Sequence, residues 1–241
     1  MLNLSHCRRG VSFNSVCYNH LIYADDTVLL APSPKALQSL INECADFAVS
    51  HNLIFNMKKT KFLCIRPQNM KNLYVPEFVL GQARIRVVNE ETYLGFILNE
   101  SVTDDDHIVK EMRNLFVRGN MLIRKFVYCT EEVKIKLFKA FCLSMYCCPL
   151  WSNYRLYSIR RLHVAMNKVF KGLMRMPYFS SASLLFAVCN VPNFSVLRRK
   201  LVYSLRRRIY ESCNKLVTNF TVFSTENVMH SKWDKLLFVS D

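Results

Sequence analysis

The chain has 241 residues and 51% of them are hydrophobic, which allows one or two domains with a buried core and excludes disorder over most of its length. It contains only 5 glycines, which argues against a glycine-rich nucleotide-binding loop. The net charge is +15, and residues His107–Lys215 hold 21 Lys+Arg against 4 Asp+Glu, so the whole excess lies in this segment. Such a charge favours a polyanionic partner such as nucleic acid, and the alternative is a solvated basic helical surface.

The 10 cysteines form neither a Cys-x-x-Cys pair nor a zinc-finger spacing, and most of them lie among apolar neighbours. This pattern predicts reduced, buried thiols in an intracellular protein, nuclear or cytoplasmic and not secreted. Residues Met1–Gly10 lack the apolar core of a signal peptide. The apolar stretch Leu137–Trp151 is too short to span a bilayer and predicts a buried helix, so we expect no membrane partner.

The first hundred residues predict a mixture of strands and one helix. In His20–Ala31, two apolar runs flank an Asp-Asp pair, which predicts a strand, a tight turn and a second strand. Ser33 and Pro34 then supply an N-cap and a first-turn proline, and the apolar spacing predicts an amphipathic helix to about His51. Further strands are predicted at Phe62–Ile65, Phe78–Leu80, Arg84–Val88 and Tyr93–Leu98.

The pattern changes near Val102, where helical spacing of apolar residues replaces the strands. Helix starts are predicted at Thr103–Asp106, Thr130, Ser158 and Ser195. Pro177 ends the third of these helices, and the fourth is expected to continue to Leu216. From Val217 onward the apolar pattern is irregular.

The segment Tyr23-Ala24-Asp25-Asp26 places two adjacent carboxylates at the predicted hairpin turn. Carboxylates held this close repel each other, and a divalent cation relieves the repulsion. Mg²⁺ prefers oxygen ligands, and in nucleotidyl transfer two metal ions about 3.5–4 Å apart activate the attacking hydroxyl and stabilise the leaving oxygen. Because neighbouring strand residues point to opposite faces, Asp25 is expected to ligate metal directly, with Asp26 at the turn or assisting. The alternative is that the pair is favourable turn chemistry exposed to water.

Three motifs, in this order, resemble those of reverse transcriptases. Tyr23–Ala31 resembles the third palm motif, and Asn56–Thr60 is similar to the motif that follows it, an Asn, two variable residues and Lys-Thr. Tyr93–Gly95 resembles the short Leu-Gly hairpin that grips the primer end. The basic helical segment from Asp104 resembles the thumb of non-LTR retrotransposon (LINE-type) enzymes. The resemblance covers roughly Asn19 to Lys215.

The resemblance implies an α+β fold in three parts. Residues 1–102 would form a partial reverse-transcriptase palm of antiparallel hairpins plus a helix, carrying the YADD hairpin. Residues 103–180 would form an all-α, basic, thumb-like region, and residues 181–241 a helical C-terminal extension with an irregular tail. The implied activity is that of an RNA-directed DNA polymerase, which uses Mg²⁺ and binds an RNA template and a DNA primer.

The resemblance also implies roles for single residues. Asp25 and Asp26 would belong to the catalytic metal site, and Lys59 would lie near the triphosphate as a proton donor to pyrophosphate. Primer and nucleotide contacts are expected from Tyr23, Ala24, Thr60, Leu94 and Gly95. Nucleic-acid contacts in the basic segment are expected from Arg113, Arg118, Arg124 and Lys125. The alternatives are an exposed loop cation at Lys59 and a turn glycine at Gly95.

The sequence departs from the family pattern before Asp25. Polymerase palms use a third carboxylate from an earlier strand, whereas residues 1–24 contain no Asp or Glu. Asp104–Asp106 resemble helix-capping residues more than a replacement. We therefore expect a fragment with an incomplete active site, inactive alone, for which a separate N-terminal palm and fingers segment is a candidate partner. The alternatives are a non-catalytic nucleic-acid-binding remnant and a protein-interaction remnant.

Overall fold

The computed structural model describes residue 4 and residues 8–13, 15–66, 74–222 and 228–238. The chain mixes helices with short strands, which is compatible with the predicted α+β class. It divides into two compact units. Unit 1 comprises Met1–Thr92 with Asn99–Ser101, and unit 2 comprises Tyr93–Leu98 with Val102–Asp241.

Unit 1 contains strands that pair two by two. Three pairs are antiparallel: β1 (Val11–Phe13) with β2 (Val16–Tyr18), β3 (His20–Tyr23) with β4 (Asp26–Leu29), and β6 (Val79–Leu80) with β7 (Ala83–Arg84). The pair formed by β5 (Lys61–Leu63) and β8 (Arg86–Val88) is parallel. This pair corrects the prediction of antiparallel hairpins alone. Parallel pairing needs a crossover of a dozen or more residues, and residues 64–85 provide that length.

Helix α1 (Pro34–Ser50) supplies the apolar face of unit 1 and begins where the sequence predicts. The Ser33 hydroxyl accepts a hydrogen bond of 3.3 Å from the Ala36 amide, which satisfies one free donor of the first turn. On the buried face, Leu40 and Cys44 pack with Leu4, and Ile41 packs with Phe78 and Ile85. Two small apolar clusters therefore join the helix to the rest of the unit.

Strands β9 (Glu90–Tyr93) and β10 (Phe96–Asn99) form a hairpin. Leu94 and Gly95 connect them with φ values of 45° and 81°. The prediction of one continuous strand over Tyr93–Leu98 is therefore wrong. Two consecutive residues with positive φ reverse the chain, and glycine adopts this conformation without a steric cost.

Unit 2 contains seven helices in the part of the chain that the structure describes. They are α2 (Asp105–Lys125), α3 (Glu131–Cys142), α4 (Leu156–Leu173), α5 (Ala182–Val188), α6 (Phe194–Tyr210), α7 (Lys215–Val222) and α8 (Val228–Phe238). Leu122, Phe138 and Phe170 lie fully buried in their shared core. Helices α2 and α4 approach closely at Gly119, where a Cβ atom would lie 2.3 Å from Val169 Cγ1.

The helix predicted over Leu137–Trp151 stops at Cys142 and is followed by a 3₁₀ turn, Cys148–Leu150. Cys147 has a φ of 57°, which is left-handed, and Pro149 has no amide hydrogen to donate to a helix. The apolar stretch therefore cannot form one continuous helix. The helix predicted over Ser195–Leu216 is also interrupted. It ends at Tyr210, and the Asn214 side chain then accepts a hydrogen bond of 2.9 Å from the Leu216 amide in the first turn of α7.

Helices α5 and α8 have no counterpart in the sequence prediction. Helix α8 carries Trp233, which is 1% exposed and donates a hydrogen bond of 2.7 Å from Nε1 to the Pro149 carbonyl oxygen. A single buried tryptophan thus ties this helix to the 3₁₀ turn. Within the described ranges, no helix combines the length and apolarity that crossing a bilayer requires.

Candidate metal-binding hairpin and nucleic-acid interface

The Asp-Asp pair lies at the tip of the β3–β4 hairpin. Tyr23 pairs with Asp26, so Ala24 and Asp25 form a two-residue turn in which Ala24 has a φ of 53°. This register corrects the sequence prediction, because Asp25 lies in the turn and Asp26 is the first residue of a strand. The alternation of side chains along a strand therefore does not apply across this pair.

Both carboxylates of the pair are exposed, and Tyr23 and Ala24 beside them are exposed as well. Over the described residues, neither the Asp25 nor the Asp26 carboxylate makes a hydrogen bond or ion pair, and neither pairs with Lys59. Their oxygens are free to bind a cation, and carboxylate oxygens are the type of ligand that Mg²⁺ prefers. In the same ranges, no group of three or more His, Cys, Asp or Glu side chains is placed to hold a metal ion.

The base of this hairpin is anchored by buried Asn19. Its backbone carbonyl accepts a hydrogen bond of 2.8 Å from the Leu30 amide, across the two strands. Its side-chain amide donates a bond of 2.6 Å to the Leu4 carbonyl oxygen, and its Oδ1 lies 2.6 Å from His20 Nδ1. Because the base is fixed, the tip is presented at the end of a braced two-stranded ribbon.

The Asn56–Thr60 motif forms a compact turn before β5. The Asn56 side-chain oxygen accepts hydrogen bonds from the amides of Lys58 (3.1 Å) and Lys59 (3.3 Å). The Asn56 carbonyl oxygen accepts from the Thr60 amide (2.9 Å) and the Thr60 hydroxyl (3.0 Å). Asn and Thr are therefore explained by turn geometry. Lys59 is left exposed at the turn.

Two side chains of unit 2 hold the Leu94-Gly95 turn. The Tyr146 hydroxyl donates a hydrogen bond of 2.6 Å to the Leu94 carbonyl oxygen, and Lys110 Nζ donates one of 2.8 Å to the Gly95 carbonyl oxygen. A Cβ atom at Gly95 would lie 3.0 Å from Tyr146 Cε1. No local pattern in the sequence marks Lys110 or Tyr146 for this role, because they lie 15 and 52 residues from the carbonyls they bind.

Behind this turn lies a buried polar network on α2. His107 accepts a hydrogen bond of 3.4 Å at Nδ1 from the Ile97 amide, and its Nε2 lies 3.2 Å from the Tyr146 carbonyl oxygen. Glu111, only 4% exposed, accepts a bond of 3.3 Å from the Tyr146 amide. Burial lowers the pKa of His107, and the Tyr146 carbonyl and Glu111 partly oppose that shift. The neutral ring, with one donor and one acceptor, matches these partners.

Asp104 also has a structural role, different from the one predicted. It stands at the N-cap position of α2 but makes no side-chain capping bond. Its Oδ2 accepts hydrogen bonds of 2.7 Å from the amides of Ser152 and Asn153 instead. Burial raises the pKa of Asp104, and these two amide bonds act in the opposite direction. The carboxylate thus joins the start of α2 to the segment before α4.

The four basic residues predicted to contact nucleic acid lie on α2. Arg113, Arg124 and Lys125 are exposed. Arg118 is different, because its guanidinium lies 3.6 Å from Glu111 and donates a hydrogen bond of 3.3 Å to the Ser144 hydroxyl. Its side chain is only 28% exposed. This internal ion pair favours a structural role for Arg118 over a free phosphate contact.

The sequence carries a sharper charge signal than the segment His107–Lys215. From Val133 to Tyr210 it contains 15 Lys and Arg and no Asp or Glu. Helices α4 and α6 both fall entirely inside this acid-free stretch, and Arg160, Arg161, Lys168 and Lys200 are exposed on them. The basic surface of unit 2 therefore extends well beyond α2.

Comparison with known protein families identifies a match in the N-terminal part of the chain. Residues 7–98 match the family described as reverse transcriptase (RNA-dependent DNA polymerase). The matched segment contains the Asp25–Asp26 hairpin, the Asn56 turn and the Leu94-Gly95 turn. No curated protein and no solved structure matches the chain. The family match supports a reverse transcriptase-like domain over residues 7–98.

Proposed function

We propose that this chain carries part of the active site and the thumb-like region of an RNA-directed DNA polymerase of the non-LTR, LINE type. The observation that carries the proposal is the exposed Asp25–Asp26 pair at the tip of a braced hairpin, inside the matched segment. Residues 1–102 act as a partial palm, 103–180 as a thumb and 181–241 as an extension. Nine free cysteines in the described residues support an intracellular location.

In this function the Asp25 and Asp26 carboxylates hold Mg²⁺, which when bound supplies charge stabilisation to phosphoryl transfer. Lys59, exposed at the Asn56 turn, offers a mobile cation suited to a phosphate. Tyr23 and Ala24 flank the pair and line the primer end, and Thr60 contributes to nucleotide binding from the Asn56 turn. The Leu94-Gly95 turn, held by Tyr146 and Lys110, is a fixed support for the primer.

The thumb-like region holds the RNA template and DNA primer mainly through phosphate contacts. Arg113, Arg124 and Lys125 are exposed on one helix and have no ion pair among the residues described. The acid-free stretch Val133–Tyr210 supplies further cations. These charges also favour a second candidate, a nucleic-acid-binding protein without catalysis. A protein-interaction remnant is distinguished from both by the salt dependence of binding, because phosphate contacts release counterions.

Primer extension on an RNA template with Mg²⁺ tests the proposal, beside an Asp25→Ala control. We expect the 241-residue chain to bind the template and primer and to add no nucleotide above the control, because a third acidic ligand is needed. Extension that Asp25→Ala abolishes would overturn the expected inactivity and support the polymerase. Extension that survives Asp25→Ala would contradict the role of the pair. Failure to bind template and primer would contradict both nucleic-acid functions and would favour the third candidate, a protein-interaction remnant.

A further inference from the structure

Helix α4 carries a narrow basic stripe on its solvent side. The exposed or half-exposed positions recur with helical spacing: Tyr157, Arg161, Val164, Lys168 and Lys171. The opposite face, with Leu162, Met166 and Phe170, is fully buried. At about 1.5 Å per residue, the stripe is about 20 Å long. At about 3.4 Å per phosphate, the rise of one strand in B-form DNA, that length spans about six phosphates, and it spans fewer in a more extended single strand.

The cations of this stripe are available to an anion. Arg161 lies over the ring of Tyr157, with 5.4 Å between its Cζ and the ring centroid, and Lys168 is exposed. In the part of the chain described, neither makes an ion pair, and α4 itself contains no Asp or Glu. A helix surface that carries charge of a single sign favours a negatively charged partner.

An aromatic pair is presented at the end of the same stripe. Pro177 and Ser180 close a turn, because the Ser180 amide donates a hydrogen bond of 3.1 Å to the Pro177 carbonyl oxygen. Tyr178 and Phe179 occupy the two central positions and are 90% and 77% exposed. Lys171 Nζ donates a bond of 2.9 Å to the Tyr178 carbonyl oxygen, which fixes this turn to the end of α4.

We propose that the α4 stripe and the Tyr178–Phe179 turn form a binding track for a single nucleic-acid strand. The phosphates lie along Arg161, Lys168 and Lys171, and bases stack on Tyr178 and Phe179. Base stacking explains why two large aromatic side chains are held in water by a closed, pinned turn. A duplex would bury its bases and leave the aromatic pair unused. The track deepens the thumb role proposed above and rests on it, because α4 lies in that region. It uses none of the metal-binding residues, so its binding can be tested without catalysis.

The test is fluorescence anisotropy of a labelled oligothymidylate of about 16 nucleotides, without Mg²⁺, over a range of salt concentrations. We expect Tyr178→Ala to weaken binding about ten-fold with an unchanged salt slope, because a stacked base is lost. Tyr128→Ala is the matched control, since Tyr128 is 99% exposed but lies between α2 and α3. It should bind as the wild type does.

A second set of variants tests the phosphate contacts. The double variant Arg161→Gln/Lys168→Gln should weaken binding and reduce the slope of log affinity against log salt by about 1.4. The control Lys136→Gln/Lys139→Gln removes two positive charges from α3, outside the stripe. It should reduce the slope of log affinity against log salt less than the Arg161/Lys168 variant does. Wild-type binding by both the Tyr178 and the charge variants would overturn the proposal. The proposal would also be overturned if the oligonucleotide did not bind and the chain instead associated with itself through a contact that Tyr178→Ala abolishes. Each result is independent of the Asp25→Ala comparison in primer extension.

Discussion

The Tyr146 hydroxyl reaches the carbonyl oxygen of Leu94, 52 residues away, with a hydrogen bond of 2.6 Å. This bond holds one side of the Leu94-Gly95 turn, and Lys110 holds the other. We predict that Tyr146→Phe, which keeps the ring and removes the bond, lowers the free energy of unfolding by about 1 kcal/mol. Hydrogen exchange should quicken at the amides of Gly95 and Phe96. Unchanged exchange there would show that the bond does not fix the turn.

A side chain at Gly95 should destabilise the fold for two separate reasons. Its φ of 81° disfavours any residue with a Cβ atom, and that atom would press against the Tyr146 ring at 3.0 Å. We predict that Gly95→Ala costs about 1–2 kcal/mol in urea unfolding. Gly81→Ala is the matched control, because Gly81 has a φ of 61° and open space around it. Equal losses at both positions would mean that the contact with Tyr146 contributes nothing.

Glu111 should be among the most sensitive charged residues of unit 2. It is 4% exposed, forms an ion pair with Arg118 and accepts hydrogen bonds from the Asn114 side-chain amide and the Tyr146 backbone amide. We predict that Glu111→Ala costs about 3 kcal/mol, because it leaves the half-buried Arg118 without its partner. Glu111→Gln should cost less, since an acceptor oxygen remains. Glu132→Ala, which removes the exposed partner of Lys136, should leave the unfolding midpoint unchanged. A mild effect of Glu111→Ala would contradict the buried network.

His107 should make the protein less stable in mild acid. Burial lowers its pKa from the usual 6.5, so below about pH 6.5 the unfolded chain binds a proton that the folded chain does not. Stability is therefore lost as the pH falls through 6.5 toward the lowered pKa, with a slope of up to about 1.4 kcal/mol per pH unit. His230, whose pKa burial also lowers, adds in the same direction.

The comparison that isolates this effect is His107→Gln, which keeps a donor and an acceptor but does not titrate. Urea unfolding between pH 7.5 and 5.5 should show a shallower pH dependence in the variant than in the wild type. Parallel curves for the two proteins would assign the pH dependence to other groups.

Local signals in the sequence predicted local structure well. Ser33-Pro34 started α1, and the Asp25–Asp26 hairpin was found, because capping and turn preferences depend on neighbouring residues. The position of the turn within the pair was wrong by one residue. Strand register fixes that position, and alternating side chains near a turn do not reveal it.

Structure that depends on distant residues was not predictable. The apolar run Leu137–Trp151 suits a helix or a buried coil equally, and only the left-handed Cys147 and the packing around Cys148 decide between them. Likewise, no sequence pattern near Leu94 or near Tyr146 predicts the hydrogen bond between them. One missed relationship was visible: Glu111 and Arg118 are seven residues apart on a helix, so they share a face.

Metal binding by the hairpin tests the central claim most directly. We would titrate the purified chain with Mn²⁺ by electron paramagnetic resonance and compare it with Asp25→Asn/Asp26→Asn. Asp105→Asn/Asp106→Asn, another adjacent acidic pair, is the control. We predict weak Mn²⁺ binding that the hairpin variant loses and the control retains. Equal binding by the wild type and the hairpin variant would contradict the assignment of Asp25 and Asp26 as the metal site.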